Sequence, residues 1–299
     1  MQYAKGFKLA LFTAGFSGVA VFLNSLTVKA VGDALVFTTV KNLGVAAILA
    51  LVLFRQTIDW QAVRVNWRPL LAIGVIGGSL PFYLFFKGLS LTNPATGALI
   101  HKTLIFWVAL WAIPVLKEKV SVKQWLALGL IFGSNFIIGG LPHFAKASWG
   151  RGEWMILAAT ILWAIENIIA KNVLKRVPVD VVVGSRMILG SLILLSAVGF
   201  SGKINLIFRL NPVQWSMTLV SVFLLTGYVM TWYRALKAAP VTLVASVLTL
   251  ATIITNVLSS IFITHNISLE LIYQSILLVV GTWFFVKEVG KNERALALR

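Results

Sequence analysis

The stretch Asn93–Gly140, NPATGALIHKTLIFWVALWAIPVLKEKVSVKQWLALGLIFGSNFIIGG, decides the fold. Pro94 suits the first turn of a helix, and the apolar run that follows is long enough to cross a bilayer. The charged triplet at 117–119 then separates this run from a second apolar run that begins at Ser121. Two bilayer-length helices joined by a short charged turn are typical of a membrane hairpin.

The composition extends this interpretation to the whole chain. The 299 residues are 59% hydrophobic and only 12% charged, with a mean hydropathy of +0.92, which excludes an ordinary soluble domain. The net charge of +17 does not indicate a nucleic-acid partner, because the Lys and Arg residues lie between apolar runs. The chain has no cysteine, three histidines and no nucleotide-binding or metalloprotease motif. We therefore expect no metal, no cofactor and no enzymatic activity.

Hydropathy over a window of about 19 residues gives ten candidate membrane spans. In chain order, spans 1 to 10 cover 7–28, 33–54, 69–90, 94–116, 121–140, 152–173, 179–200, 212–235, 240–263 and 268–287. The sequence thus predicts an all-α integral membrane protein with ten transmembrane helices. Most Lys and Arg residues outside the spans fall on one side, which predicts a protein of the inner (plasma) membrane with both termini in the cytoplasm.

The two halves of the chain share the order of their helix breakers and the lengths of their spans. At an offset of 147 residues, for example, Ser121 matches Ser268. Residues 1–145 and 146–299 are therefore predicted to be two repeats of five spans each. Because five is odd, the second repeat must be inverted relative to the first, an architecture that recurs in secondary transporters with a substrate site near the midplane.

Several loose, mostly apolar motifs are found along the chain. They are Ala98 to Lys119 with its Leu116-Lys117-Glu118-Lys119 end, Gly129 and Gly133, Trp163 followed by Arg186, and Ala235-Leu236 ahead of Pro240. Together they resemble the repeat unit of the EamA family of the drug/metabolite transporter superfamily, of the ten-helix exporter type, over nearly the whole chain. The resemblance implies a secondary transporter that works by alternating access, and most members export amino acids or other small metabolites.

Charged residues inside the spans are the first candidates for a functional site, since a charge at membrane depth needs a cavity or a partner. Glu166 in span 6 and Arg186 in span 7 are expected at one depth, either as a structural ion pair or as a substrate or proton site. Lys41 in span 2 corresponds to Arg186 in the inverted repeat. We expect these two residues near opposite membrane faces, as a pair of gates or as a mere product of symmetry.

Span 4 adds two neighbouring ionisable residues, His101 and Lys102, which point about 100° apart on a helix. His101 titrates near neutrality when unperturbed, so it could exchange a proton during transport. A hydrogen-bonded histidine between helices is the alternative. Lys102 is a candidate for gating or charge pairing.

Polar and aromatic residues complete the candidate site. Span 9 carries a stripe at helical spacing: Thr242, Ser246, Thr249, Ile253, Asn256 and Ser260. Such a stripe must face protein or water, so it predicts a cavity wall, unless the side chains bond within their own helix. Four aromatic residues are candidates for ligand contact or for packing: Tyr83, Trp107, Trp163 and Trp232.

These observations predict a transporter that moves a small amphipathic metabolite, such as an amino acid, and the resemblance to the EamA family implies that it does so outward. One alternative is a nucleotide-sugar or phosphate-ester carrier, in which Lys41, Lys102 and Arg186 would clamp phosphate. The other is a membrane scaffold or receptor that does not transport. The expected partners are a small-molecule substrate, the lipid bilayer and a coupled proton or counter-substrate, in a monomer or homodimer.

Overall fold

The computed structural model describes residues 2–92, 94–134 and 149–297, and this part of the chain is built of helices joined by short connections. The long helices are Gln2–Val31 (span 1), Ala34–Phe54 (span 2), Arg151–Val173 (span 6), Val179–Phe200 (span 7), Pro212–Ala238 (span 8) and Leu269–Ala297 (span 10). Short helices, Trp60–Val65 and Ile204–Phe208, follow spans 2 and 7.

The remaining spans are segmented or partly described. Span 3 consists of the helix Trp67–Ile73, a π-helical turn Gly74–Ser79 and the helix Leu80–Leu91. Span 4 consists of the helices Pro94–Lys102 and Leu104–Leu116. Span 9 consists of the helices Val241–Leu248 and Ala251–Ser259 and a π-helical turn Ser260–Thr264. Span 5 is described as Val122–Ser134, and its expected continuation to 140 lies outside the described residues. Nine helices of the described chain are long and apolar enough to cross a membrane. The all-α membrane fold is confirmed, and the ten-span count is consistent with it.

Capping side chains explain several helix starts. The Asp33 carboxylate accepts hydrogen bonds from the backbone N–H groups of Leu35 (2.9 Å) and Val36 (3.0 Å) at the start of span 2. Ser121 and Gln124 exchange bonds at the start of span 5, with Ser121 N–H donating to Gln124 Oε1 at 2.6 Å. Each cap satisfies backbone donors that the first turn of a helix leaves unpaired.

Spans 4 and 9 were expected as single helices, yet each is interrupted near its middle. Thr103 Oγ1 donates to the carbonyl of Ile100 at 2.6 Å, and Thr249 Oγ1 donates to the carbonyl of Ser246, also at 2.6 Å. A threonine hydroxyl that bonds the preceding turn competes with the backbone ladder and bends the helix. The two interruptions fall at matching places in the two halves.

Contacts between the halves are arranged as inverted copies. Spans 2 and 7 pack antiparallel, and at one end of the bundle Lys203 Nζ donates to Asp33 Oδ2 at 2.6 Å. At the opposite end Gln56 Nε2 donates to Asp180 Oδ2 at 3.0 Å. Asp180 stands 147 residues after Asp33, and Lys203 stands 147 residues after Gln56. The two bonds are therefore one contact made twice, which supports an inverted repeat.

The centre of the bundle lies where the π-helical turn of span 3 crosses span 7. Gly78 and Gly190 meet there so closely that a Cβ added to Gly190 would lie 2.6 Å from the Cα of Gly78. Only glycine permits this approach of two backbones. The outer surface is apolar, with exposed side chains such as Phe12, Leu51 and Phe223, as lipid contact requires.

Candidate functional site

The π-helical turn of span 3 presents one carbonyl group to the neighbouring spans. The Gly77 carbonyl accepts a bond from Trp163 Nε1 of span 6 and another from Arg186 Nη2 of span 7, each at 3.2 Å. A π-helical turn shifts the helical register by one residue, and such turns are frequent at functional sites. These two bonds fix the π-helical turn of span 3 to spans 6 and 7, next to the close approach of Gly78 and Gly190.

Glu166 and Arg186 lie side by side behind Gly77. A Cβ on Gly77 would be 2.9 Å from Glu166 Cδ and 3.3 Å from Arg186 Nε, and both side chains are buried. The Glu166 Oε1 atom accepts a hydrogen bond from the Tyr233 hydroxyl of span 8. The ion pairs with N–O distances up to 4.0 Å in the described chain do not include these two residues. The two side chains lie next to each other without an ion pair within that distance, and their hydrogen bonds go to Tyr233 and to the Gly77 carbonyl.

Two polar atoms of this pair have no hydrogen-bond partner in the described chain, namely Glu166 Oε2 and Arg186 Nε. Buried polar groups are nearly always hydrogen-bonded, because an unpaired one costs about 1–3 kcal/mol. A carboxylate oxygen and a guanidinium N–H at the meeting of spans 3, 6 and 7 therefore keep hydrogen-bonding capacity that the described chain does not use.

Lys41 reaches the same place from span 2. Its Nζ atom lies 4.8 Å from the ring centroid of Phe37, 5.4 Å from that of Phe82 and 4.5 Å from that of Phe86. The guanidinium carbon of Arg186 lies 5.7 Å from the same Phe82 centroid.

That Lys41 and Arg186 lie near opposite membrane faces stays a prediction, but the structure brings their charged ends to one aromatic ring. Both cations contact the ring of Phe82, although their helices run antiparallel and each residue is the eighth of its own helix. The physical reason is the length of the two side chains, which extend several ångströms beyond the backbone toward the middle of the bundle. A count of residues along the helix gives the depth of the Cα atom and not that of the charge.

Aromatic rings form the wall beside these charges. The Trp163 ring centroid lies 5.3 Å from that of Phe82, 5.4 Å from that of Phe85 and 5.3 Å from that of His101. His101 Nδ1 lies 3.4 Å from Thr160 Oγ1. On the side of span 8, Trp232 Nε1 donates to Asn167 at 3.0 Å while its ring stacks on Tyr228.

We call the group of side chains that meet at this point the Phe82 cluster. It consists of Lys41, Phe82, Trp163, Glu166, Arg186 and Tyr233. His101 borders it through Trp163, and Trp232 is the sequence neighbour of Tyr233. Charges and aromatic faces at one buried point can bind an organic molecule that has both ionic groups and an apolar body.

Other predicted site residues lie elsewhere. Tyr83 packs against a small group formed by Leu35, Leu194 and Val198. Trp107 Nε1 donates to Thr103 of its own helix at 3.1 Å. In the described chain, Lys102 takes part in none of the hydrogen bonds, ion pairs or ring contacts of the Phe82 cluster.

The polar side chains of span 9 bond within their own helix or to the adjacent span. Ser246 Oγ donates to the Leu243 carbonyl at 2.8 Å, and Asn256 donates to Gln274 of span 10 at 2.8 Å. At the start of span 9, the Glu118 carboxylate accepts bonds from Thr242 Oγ1 (2.7 Å) and from the backbone N–H groups of residues 241 and 242. That this stripe lines a cavity stays a prediction.

Sequence reasoning missed Phe82 and Tyr233. Phe82 is one of many apolar residues, and nothing in its neighbours distinguishes it. Tyr233 could have been found, because a carboxylate at the depth of Glu166 needs a donor from an adjacent span. A search for hydroxyl groups a similar distance from the same end of the bundle leads to span 8.

No group of three or more His, Cys, Asp or Glu side chains in the described chain could hold a metal ion.

Comparison with known proteins agrees with this architecture. Residues 4–140 and 150–287 each match the EamA-like transporter family. The chain belongs to that family. Membership makes it a multi-pass membrane protein, and the two matches fall on the two halves whose contacts are inverted copies.

Two similar proteins place this EamA-like chain among known ones. It is 26% identical over 137 residues to the "Uncharacterized transporter YyaM" of Bacillus subtilis (strain 168), a match that covers 45% of each chain. The chain thus matches less than half the length of that curated relative. A crystal structure superposes with a TM-score of 0.73 over 95% of this chain and 96% of the other at 14% identity, and this likeness concerns the fold alone.

Proposed function

We propose that this EamA-like chain is a secondary transporter that moves a small amphipathic metabolite, such as an amino acid, by alternating access. One observation carries the proposal: a buried carboxylate and a buried guanidinium lie side by side, and each keeps one polar atom without a partner. An ammonium group can bond Glu166 Oε2 and a carboxylate can bond Arg186 Nε. The apolar part of such a molecule would lie on Trp163 and Phe82.

The arrangement of the spans supports alternating access. Matching bonds close the two ends of the bundle between spans 2 and 7, one at Asp33 and one at Asp180. If one bond breaks while the other holds, the Phe82 cluster opens to one side of the membrane only. The repeats 1–145 and 146–299 would be the bodies that rock against each other.

Direction and location are part of the same proposal. The distribution of Lys and Arg supports a plasma-membrane protein with both termini in the cytoplasm, and the family resemblance favours export. A proton or a counter-substrate would drive transport. The protein would work as a monomer, with a homodimer as the alternative.

Counterflow into proteoliposomes tests the proposal. Proteoliposomes that contain the purified chain and are loaded with unlabelled amino acids should take up labelled amino acid with saturable kinetics. Glu166→Gln and Arg186→Met should each lower this flux at least tenfold, because each removes a group that bonds the substrate. Glu270→Gln and Arg55→Met change exposed residues of the same types and should transport normally.

The transporter assignment fails if no amino acid, drug or sugar phosphate shows saturable flux. The assigned site fails if the double variant of Glu166 and Arg186 folds and transports normally.

A phosphate-ester carrier is a second candidate, and one observation favours it. Lys41 and Arg186 converge on the ring of Phe82, so two cations are close enough to act on one ligand. The third predicted clamp residue, Lys102, takes no part in that contact. Sugar phosphates in the same counterflow assay distinguish this carrier from an amino-acid transporter.

A further inference from the structure

The Phe82 cluster holds more positive than negative charge. Arg186 and Lys41 bring two cations to the ring of Phe82, whereas Glu166 is the acidic side chain among the six residues of the cluster. Tyr233 and Trp163 add hydrogen-bond donors without charge. With one carboxylate assigned to two cations, one positive charge in the described part of the site has no counter-charge.

Lys41 is the cation without a counter-charge. Its residue is 1% exposed, and its Nζ atom takes part in none of the ion pairs found in the described chain. Arg186, in contrast, lies beside Glu166 and donates to the Gly77 carbonyl. Three phenyl rings attract the Lys41 ammonium through their negative faces, but they cannot neutralise it.

Burial of an unpaired charge is strongly unfavourable, and proteins keep such a charge where a ligand supplies the partner. The chain could have placed Leu or Met among the three Phe rings at no electrostatic cost. An ammonium at this position is explained if an anionic group of the substrate arrives next to it and completes the charge balance of the site.

We infer that the substrate is a net monoanion with two anionic groups and one amine, which is the chemistry of an acidic amino acid. Its amine bonds Glu166, one anionic group bonds Arg186 and the second bonds Lys41. Lys41 is thus the residue that selects acidic over neutral substrates. This inference rests on the proposed function and specifies the substrate class of the same site.

Selectivity in proteoliposomes provides the test. Wild-type protein is assayed for counterflow of glutamate and aspartate, of leucine and glutamine as neutral zwitterions, and of phosphoserine, in which the second anionic group is a phosphate. We expect the acidic amino acids to be transported at least tenfold faster than the neutral ones at equal concentration. Faster flux of phosphoserine than of glutamate would contradict a net monoanion and overturn the inference, because the phosphate brings phosphoserine close to two net negative charges at neutral pH.

Lys41→Met should lower the ratio of acidic to neutral substrate flux at least tenfold, because the second anionic group loses its partner. Lys41→Arg keeps the charge and should keep acidic selectivity. Lys87→Met removes an exposed lysine of span 3 and is the matched control. The inference is overturned if neutral amino acids are transported and acidic ones are not, an outcome that leaves the proposed function standing. It is also overturned if Lys41→Met folds and keeps the wild-type preference.

Binding to wild-type protein gives a second measurement, which matters if Lys41→Met does not fold. Glutamate should raise the thermal unfolding temperature of the detergent-purified protein more than leucine does at the same concentration. An equal or larger increase with leucine would contradict the inference without any variant. Absence of flux for every compound overturns both this inference and the proposed function.

Discussion

The Phe82 cluster and the polar stripe of span 9 are both polar regions inside the bundle, yet they differ in how their atoms are satisfied. Ser246 and Thr249 bond carbonyls of their own helix, and Asn256 bonds the adjacent span. Glu166 and Arg186 each keep a buried polar atom without a partner in the described chain. A hydroxyl can always return to the preceding turn of its helix, whereas an ionised group needs a partner from elsewhere. Unsatisfied charge, rather than polarity at helical spacing, marks the better candidate for a binding site.

The largest effect is expected where the backbone supports the cluster. Gly190→Ala would place a methyl group 2.6 Å from the Cα of Gly78, so spans 3 and 7 must separate. Overpacking of this kind typically costs about 1–3 kcal/mol or more, and here it also displaces the Gly77 carbonyl. We expect a lower unfolding temperature and loss of transport. Gly129→Ala in span 5 is the control, because a Cβ there meets nothing within 4 Å. Equal behaviour of the two variants would contradict the tight crossing.

The next effect concerns the donor to Glu166. Tyr233→Phe removes the hydroxyl that bonds Oε1 and leaves the aromatic ring in place. A hydrogen bond to a charged group contributes about 1.5–3 kcal/mol, so transport should fall roughly tenfold to a hundredfold. Initial rates in proteoliposomes measure this, with Tyr273→Phe at an exposed position as the matched control. If Tyr233→Phe transports like wild type, Glu166 does not depend on that donor.

A smaller effect is expected in the stripe. Asn256→Ala breaks the 2.8 Å bond to Gln274 and should destabilise the protein by about 1 kcal/mol in thermal or denaturant unfolding, with little change in flux. Ser246→Ala, which removes a bond within one helix turn, should change stability still less. A tenfold loss of flux in either variant would erase the contrast with the Phe82 cluster and place the stripe in the transport pathway.

The smallest effect belongs to the end of the bundle, where Asp33 meets Lys203. Partial burial raises the pKa of Asp33, but hydrogen bonds from Lys203 and from the backbone N–H groups of Val36 and Leu35 outweigh it and hold the pKa below its usual value of 3.8. Because the folded pKa is lowered, the contribution to stability is complete above pH 3.8 and is lost as the pH falls through the folded value.

Asp33→Asn should therefore cost only about 0.5–1 kcal/mol at neutral pH, as is usual for a partly exposed ion pair. Unfolding free energies of wild type and variant should converge below about pH 4. They should stay parallel between pH 6 and 8. A difference that grows between pH 6 and 8 would show that another group is responsible. This prediction sets the scale of a solvent-accessible bond against which the buried cluster can be judged.

Much of the fold could be predicted because the signals are local. Apolar runs gave the spans, and Asp33 and Pro212 lie where the sequence predicts helix starts. The interruption of span 4 at Thr103 was not predicted, since a threonine that bends a helix looks like one that does not. Neither could the meeting of Lys41 and Arg186 be predicted. It depends on side-chain reach and on the Gly78–Gly190 approach, which are properties of the assembled bundle.

The Glu118 carboxylate, which caps the first turn of span 9, has a consequence for the history of the molecule. The two halves descend from one ancestral unit if their inverted contacts are a true duplication. Glu118 belongs to the first half but satisfies backbone donors of the second, and the second half carries His265 at the matching position. A carboxylate can accept several such bonds at once, whereas a histidine ring offers at most one acceptor nitrogen. The halves are therefore no longer interchangeable: a second half expressed alone would begin span 9 with unpaired donors, and two copies of it could not rebuild the parent.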